Sequence, residues 1–166
     1  MRLFILIAFS IICYAPTQAQ IDDLKQDKDV LLNQFIDDIA DTLKFEIFSD
    51  IAESYKFVDL DTTIKYGMLA ESVIDATIYP AKVATAKGFS AWAYFMKGEY
   101  DLSLQIAEDA YSLVADLPGI HQIKFQLLND QGTIYGAMGM YELGLRKFYE
   151  IIEIFDSNSY EEGYYV

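Results

Sequence analysis

Apolar residues recur at three- and four-residue spacing along most of the chain, and no stretch competes with a strand-like alternation. Val30, Leu31, Phe35, Ile39 and Leu43 form the first stripe and predict a short opening helix ending near Leu43. "KFEIFSDIAESYKF" (44–57) repeats the pattern with Phe45, Phe48, Ile51, Ala52, Tyr55 and Phe57. "VDLD" interrupts it, and Asp61 is placed to cap a helix over "TTIKYGMLAESVIDATIY" (62–79). In that helix Tyr66, Gly67, Ala70 and Ile74 are apolar, with Ile64, Met68 and Val73 on a wetter border. Pro80 stands where a helix can start, ahead of "AKVATAKGFSAWAYFM" (81–96). Lys97-Gly98 turns the chain into "YDLSLQIAEDAYSLVADL" (100–117), and Pro118-Gly119 stops and restarts it. "QIKFQLLNDQGTIYGAM" (122–138) and "YELGLRKFYEIIEIF" (141–155) complete the series, before a polar and aromatic tail over 157–166 without a core-facing period.

The helices repeat as pairs. Tyr94, Gly98 and Tyr100 recur as Tyr135, Gly139 and Tyr141, each 41 positions later. In the first arm of each pair a small residue recurs at Ala52, Ala91 and Gly132, followed three residues on by Tyr55, Tyr94 and Tyr135. The second arms carry small residues at Gly67, Ala70, Ala107, Ala110 and Gly144. Small side chains let helix axes approach closely while large neighbours fill the gap. Gly98 and Gly139 fall at the hairpin tips, where freedom from Cβ strain is needed, with the flanking tyrosines packing across the corner. One pair cannot hide its apolar face alone, so successive pairs stack.

This pattern resembles the tetratricopeptide repeat family. The middle copy carries it best, with Ser90, Ala91, Tyr94, Gly98, Tyr100, Ser103, Ala107 and Ala110 at the signature positions. The third supplies Gln131, Gly132, Tyr135, Gly139, Tyr141, Gly144, Phe148 and Ile151, and the first Ile51, Ala52, Tyr55, Asp59, Thr63, Gly67 and Ala70, without the turn glycine. The resemblance implies an all-α right-handed superhelix of antiparallel hairpins, three pairs over 43–156 behind a lead-in over 20–42. The copies are about 40 residues apart, against about 34 in the family. The surplus predicts roughly two further helical turns per pair, divided between its helices. Such long copies resemble the extracytoplasmic region of bacterial sensor proteins. There a membrane span and an output domain such as a histidine kinase or cyclase follow. That implies an alternative role as a sensing segment with a membrane-bound signalling partner. The last pair is followed by no capping helix, which leaves Leu143, Ile151, Ile152 and Ile154 partly bare and suggests a fragment or a docking face.

The amino terminus reads differently. "MRLFILIAFSIICYAPTQAQ" has one Arg and an apolar run from Leu3 to Tyr14, short for a membrane span, then small and polar residues. It reads as a signal peptide (1–19) cleaved after Ala19, giving a periplasmic or extracellular product. Ile12 ahead of Cys13 argues against a lipoprotein site. Cleavage removes Arg2 and the only cysteine, leaving 11 basic against 26 acidic groups, a formal charge of −15. The fold then holds by packing without disulfides. So acidic a surface disfavours nucleic acid and anionic lipid as partners.

Catalytic constellations are incomplete. His121 is the only histidine and reads as an exposed first-turn residue. A metal or acid–base role needs a second imidazole, a thiol or converging carboxylates. The acid pairs Asp22-Asp23, Asp37-Asp38 and Glu161-Glu162 are adjacent in sequence and do not face one site. "DLDTTIKYG" lacks the central glycine and closing Glu of a calcium loop. Ser90, Ser103 and Ser112 have no histidine placed near them. The expectation is therefore a non-enzymatic protein, without metal or cofactor, that binds a protein or peptide.

In the family the first helices line a concave face. Carried over by copy, that face comprises Glu46, Ser49, Glu53, Lys56 and Phe57, then Thr85, Gly88, Trp92, Phe95 and Met96. The third copy adds Gln126, Asn129, Thr133, Gly136 and Ala137. Lys56 is the only base among them, so a paired Lys and Arg clamp for a terminal carboxylate is missing. Trp92, Phe95 and Met96 are either anchors for a bound segment or packing between repeats. On localisation, sequencing the amino terminus of the secreted or periplasmic product should begin at Gln20. A cytoplasmic product retaining Met1 would refute export.

Overall fold

A computed structural model describes residues 39–161, with side-chain surroundings given to 156. The signal peptide, Val30, Leu31 and Phe35 of the opening stripe, Asp22-Asp23 and Asp37-Asp38 lie outside the described residues, as does the tail from 162. Six helices and no strand occur among the described residues: α1 (Asp41–Tyr55), α2 (Leu60–Ser72), α3 (Pro80–Met96), α4 (Tyr100–Ser112), α5 (His121–Ala137) and α6 (Tyr141–Glu161). Each packs on the next, and the first arms also touch one another, α1 on α3 and α3 on α5.

Local chemistry sets the ends. Asp59, not Asp61, caps α2, accepting from the Thr62 amide at 3.1 Å and its hydroxyl at 2.9 Å. Pro80 opens α3 as its periodicity implies. The α3–α4 turn carries Gly98 at φ 80°, with the Glu99 amide donating to the Tyr94 carbonyl at 3.0 Å and the Gly98 amide to Phe95 at 2.9 Å. The α5–α6 turn copies it 41 residues later: Gly139 is at φ 77°, and the Met140 amide donates to the Tyr135 carbonyl at 2.8 Å. The spacing of Tyr, three residues and Gly is thus the length of a helix-terminating motif. The first pair, lacking the glycine, turns through 56–58 instead, with the Asp59 amide donating to the Tyr55 carbonyl at 3.0 Å.

Several boundaries correct the periodicity. The break expected near Leu43 falls at 39–40: α1 starts at Asp41 after extended Ala40, and Leu43 is half exposed in its first turn. Phe57 lies beyond α1 and is 75% exposed, so it leaves the apolar stripe. Helix α2 stops at Ser72 because Asp75 takes the Thr77 amide at 2.8 Å and its hydroxyl at 2.7 Å, a side-chain alternative to helical bonding. Helix α4 stops at Ser112, yet Val114 and Leu117 pack into the core from the turn that follows, which is why the apolar period outlasts the helix. The surplus over a 34-residue repeat therefore lies partly in connectors (73–79 and 113–120) rather than wholly in helix. Helix α6 runs on into the expected tail, to Glu161. Ile64, expected at the wet border of α2, is buried, and Tyr141, expected to pack across its corner, is 70% exposed.

The small residues sit where the helices cross. Ala52, Ala70, Ala91, Ala107 and Ala110 have no exposure, and Gly67, Gly132 and Gly144 are buried. Within each pair the second arm lays one side chain on the first arm's small-residue carbonyl. Thr63 donates to Ala52 at 3.4 Å and Ser103 to Ala91 at 2.7 Å. In the third pair Gly144 takes this place, and a Cβ there would lie 2.9 Å from the Gly132 carbonyl oxygen. Gly132 in turn faces the Phe148 ring, 2.8 Å from where its Cβ would be. Between pairs, Gln131 donates to the Ala107 carbonyl at 3.0 Å.

Two substitutions separate the roles of glycine. Gly98→Ala meets no atom within 4 Å but must hold positive φ, a cost of about 1 kcal/mol, which Gly98→Asn should largely escape. Gly144→Ala must push α6 off α5 and should cost about 1–3 kcal/mol. Urea midpoints check both, and parent-like values for Gly144→Ala would refute the close crossing.

Candidate functional site

The first arms α1, α3 and α5 enclose a cleft of about 280 Å³. Helix α1 contributes Glu53 and, just past its last turn, Lys56. Thr85, Gly88 and Phe89 come from α3, and Gln122, Gln126 and Asp130 from α5. Gly88 brings α3 close to α5, since a Cβ there would touch Leu127 at 3.5 Å.

Lys56 links the three arms electrostatically. As the residue closing α1 it stands at the negative end of that helix's dipole. Its ammonium lies 4.9 Å from the centre of the Trp92 ring on α3 and 5.7 Å from that of Phe57. Its charge also acts on Asp130 of α5. Asp130 is only 4% exposed, and burial pushes its carboxyl up to about 6. Lys56 and hydrogen bonds from Gln126, at 2.9 Å, and Asn129 partly offset that burial. Above pH 6 the cleft therefore holds a buried carboxylate facing one lysine. Outside the cleft, Lys82 bridges α3 to Glu46 of α1 and stands 4.6 Å over the Phe45 ring.

Of the groove positions carried over by copy, Glu53, Lys56, Thr85, Gly88 and Gln126 line this cleft. Trp92 and Phe95 do not. They form an aromatic run beside it: Phe57 meets Trp92 edge-on at 6.1 Å, Trp92 meets Phe95 at 5.4 Å, and Phe95 meets Tyr100 at 5.8 Å. Phe95 packs against the buried cluster of Ala91, Ala107 and Ile134. Trp92 is half buried, its Nε1 enclosed without a hydrogen-bond partner among the described residues. Met96 is 48% exposed at the end of α3, and half-buried Asn129 reaches the cleft through Asp130. Tyr135 donates its hydroxyl to Glu108 at 2.7 Å, tying α5 to α4.

Sequence reasoning passed over Asp130 and Phe89. A signal was there: Asp130 occupies the position that Phe89 holds one copy earlier, so a carboxylate replaces an aromatic ring at a repeat site. His121 is half buried rather than exposed. It begins α5 with its Nδ1 enclosed and unpartnered among the described residues, beside Phe125 and Ile151 in a shallow cleft of about 250 Å³. Among the described residues no group of three or more His, Cys, Asp or Glu is arranged to hold a metal ion. No described helix is long and apolar enough to cross a membrane.

No family model matches the chain, and no curated protein or solved structure matches it.

Asp130 makes stability depend on pH in an identifiable direction. Its folded pKa, about 6, lies above the ordinary carboxylate value, so between pH 4 and 6 the folded chain holds the extra proton. This contribution is fully present below pH 4, is lost as pH rises to 6, and is flat beyond. Its size is roughly 2–3 kcal/mol. Asp130→Asn should remove the slope and be more stable than the parent at pH 7.5. Urea melts of the two chains at pH 4, 5, 6 and 7.5 check this, and parallel curves would refute the burial cost.

Proposed function

We propose that this chain is an exported, non-enzymatic binding module built as a right-handed superhelix of tetratricopeptide-like pairs. The cleft between its first arms holds a segment of a protein partner. The observation that carries the reading is that α1, α3 and α5 alone, one helix from each pair, line the cleft. First arms that touch one another while second arms back them form a continuous inner surface.

The cleft's chemistry suits a chain with donors to spare. Glu53 and Asp130 offer carboxylates, Gln122 and Gln126 offer amides, and Phe89 and Gly88 supply an apolar floor on which a side chain can rest. The one lysine lies against the Trp92 ring, so the cleft does not favour an anionic terminus. An extended or helical segment bearing a lysine or arginine is the preferred occupant. Trp92 and Phe95 extend the surface beyond the cleft, and Met96 offers its exposed side chain at the rim.

The experiment is site-directed photo-crosslinking in the exported fraction, with the reactive group at Gln126 and, as control, at exposed Asp101 on α4. The expected result is a discrete protein adduct at 126 and none at 101. The captured partner is then titrated. Glu53→Ala and Phe89→Ala should each weaken binding at least tenfold, with roughly thirtyfold at a true anchor. Circular dichroism must show parent-like helix and melting in both variants. Folded variants that bind as tightly as the parent would overturn the cleft as the binding site.

A further inference from the structure

Helix α6 carries a second apolar face. Tyr141, Leu145, Tyr149 and Ile152 recur at three- and four-residue spacing and are each more than half exposed, with Phe148 at the border toward α5. A stripe of this kind on a helix that already packs on α5 through Gly144 is a surface built to be covered.

The earlier copies show what kind of element covers it. Leu145, Tyr149 and Ile152 occupy the places of Leu104, Glu108 and Tyr111 on α4, 41 residues back, and of Ile64, Met68 and Glu71 on α2. Two of those places on α4 join clusters that include α5 residues and one bonds to α5: Leu104 packs against the cluster of Ala91, Ala107 and Ile134, Glu108 accepts from Tyr135, and Tyr111 packs against the cluster that includes Leu127. On α2, Glu71 meets Lys87 of α3 at 3.0 Å. On these faces Glu108 and Glu71 find polar partners, while Met68 stays exposed on α2. At the corresponding places α6 is apolar throughout.

From this we infer that α6 pairs with α6 of a second copy, antiparallel, about a two-fold axis passing between Phe148 and Tyr149. The central part of the stripe is symmetric about that point, while Tyr141 and the exposed Phe155 fall opposite Asp156 and Glu142. Reversing the helix sets Leu145 opposite Ile152 and Phe148 opposite Tyr149, so apolar meets apolar at every central place. The flank is charge-complementary in the same register. Arg146 and Glu153 lie on one side of the stripe, and reversal brings each Arg146 beside Glu153 of the second copy, giving two equivalent ion pairs. A contact along one helix buries less than the ~1,600 Å² of a standard interface, so association is micromolar rather than nanomolar. The formal charge of −14 on each chain opposes it at long range, so added salt tightens the dimer.

Sedimentation equilibrium of the purified chain over roughly 1–300 µM tests this. The expected result is a weight-average mass rising toward twice 18.9 kDa, further at higher salt. Leu145→Glu and Ile152→Glu, both at exposed positions, should return the mass to one chain with an unchanged circular dichroism spectrum. Met68→Glu, exposed on α2, should still dimerise. A second measurement uses Tyr149→Cys in a Cys13→Ser background, which should form a disulfide-linked dimer on mild oxidation, whereas Asp101→Cys should not. A single-chain mass throughout would overturn the inference and leave the face to the helix of another protein. So would dimers that survive both glutamate substitutions, or crosslinking at 101 as ready as at 149.

Discussion

Where the two helices of a pair cross, a carbonyl of the first arm comes within reach of a small side chain on the second. Ser103 on Ala91 is the clearest instance, at 2.7 Å, with Thr63 on Ala52 before it and bare Gly144 over Gly132 after it. The crossing requires residues without bulk on both helices, and it takes up the second lone pair of a helical carbonyl buried away from water. Pair geometry follows from that contact. Given the crossing, the Tyr-to-Gly spacing sets where the first arm must end, and Gln131 to Ala107 sets how the next pair sits.

The same first arms that cross their partners so closely are left with one side facing the cleft. A purely hydrophobic interior would fill that side with leucine or phenylalanine, as Phe89 does in the middle copy. The third copy places Asp130 there, and the penalty is visible in its raised proton affinity. Lys56 reduces the penalty without removing it, because its ammonium also rests on the Trp92 ring. A carboxylate held at such expense in stability, beside one shared cation, is the sort of departure from local rules that concentrates at binding sites.

The helix ends expose a different competition. Asp75 with Thr77 offers the backbone a hydrogen bond of its own where α2 gives way to turn, and Asp59 with Thr62 does the same where α2 begins. Hydrophobic periodicity is blind to this. Val114 and Leu117 keep the helical beat while lying in a turn, because a core can be filled from a connector as well as from a helix. Phe57 shows the converse, an apolar residue in register that the end of α1 delivers to the surface.

The sequence by itself determined the helical class and the pairing of successive helices. Those depend on local quantities: a 3.6-residue period, a glycine able to take positive φ at 98 and 139, and small residues at fixed offsets. Only the tertiary structure decided that Trp92 and Phe95 lie beside the cleft rather than in it. It alone showed that Asp130 is buried and within reach of the Lys56 charge, and that the outer stripe of α6 is more than half exposed. Residues 56, 92 and 130 are far apart in the chain, so no spacing rule links them. Their meeting depends on how far each pair rotates on the last, a sum of small packing displacements that one-dimensional patterns do not encode.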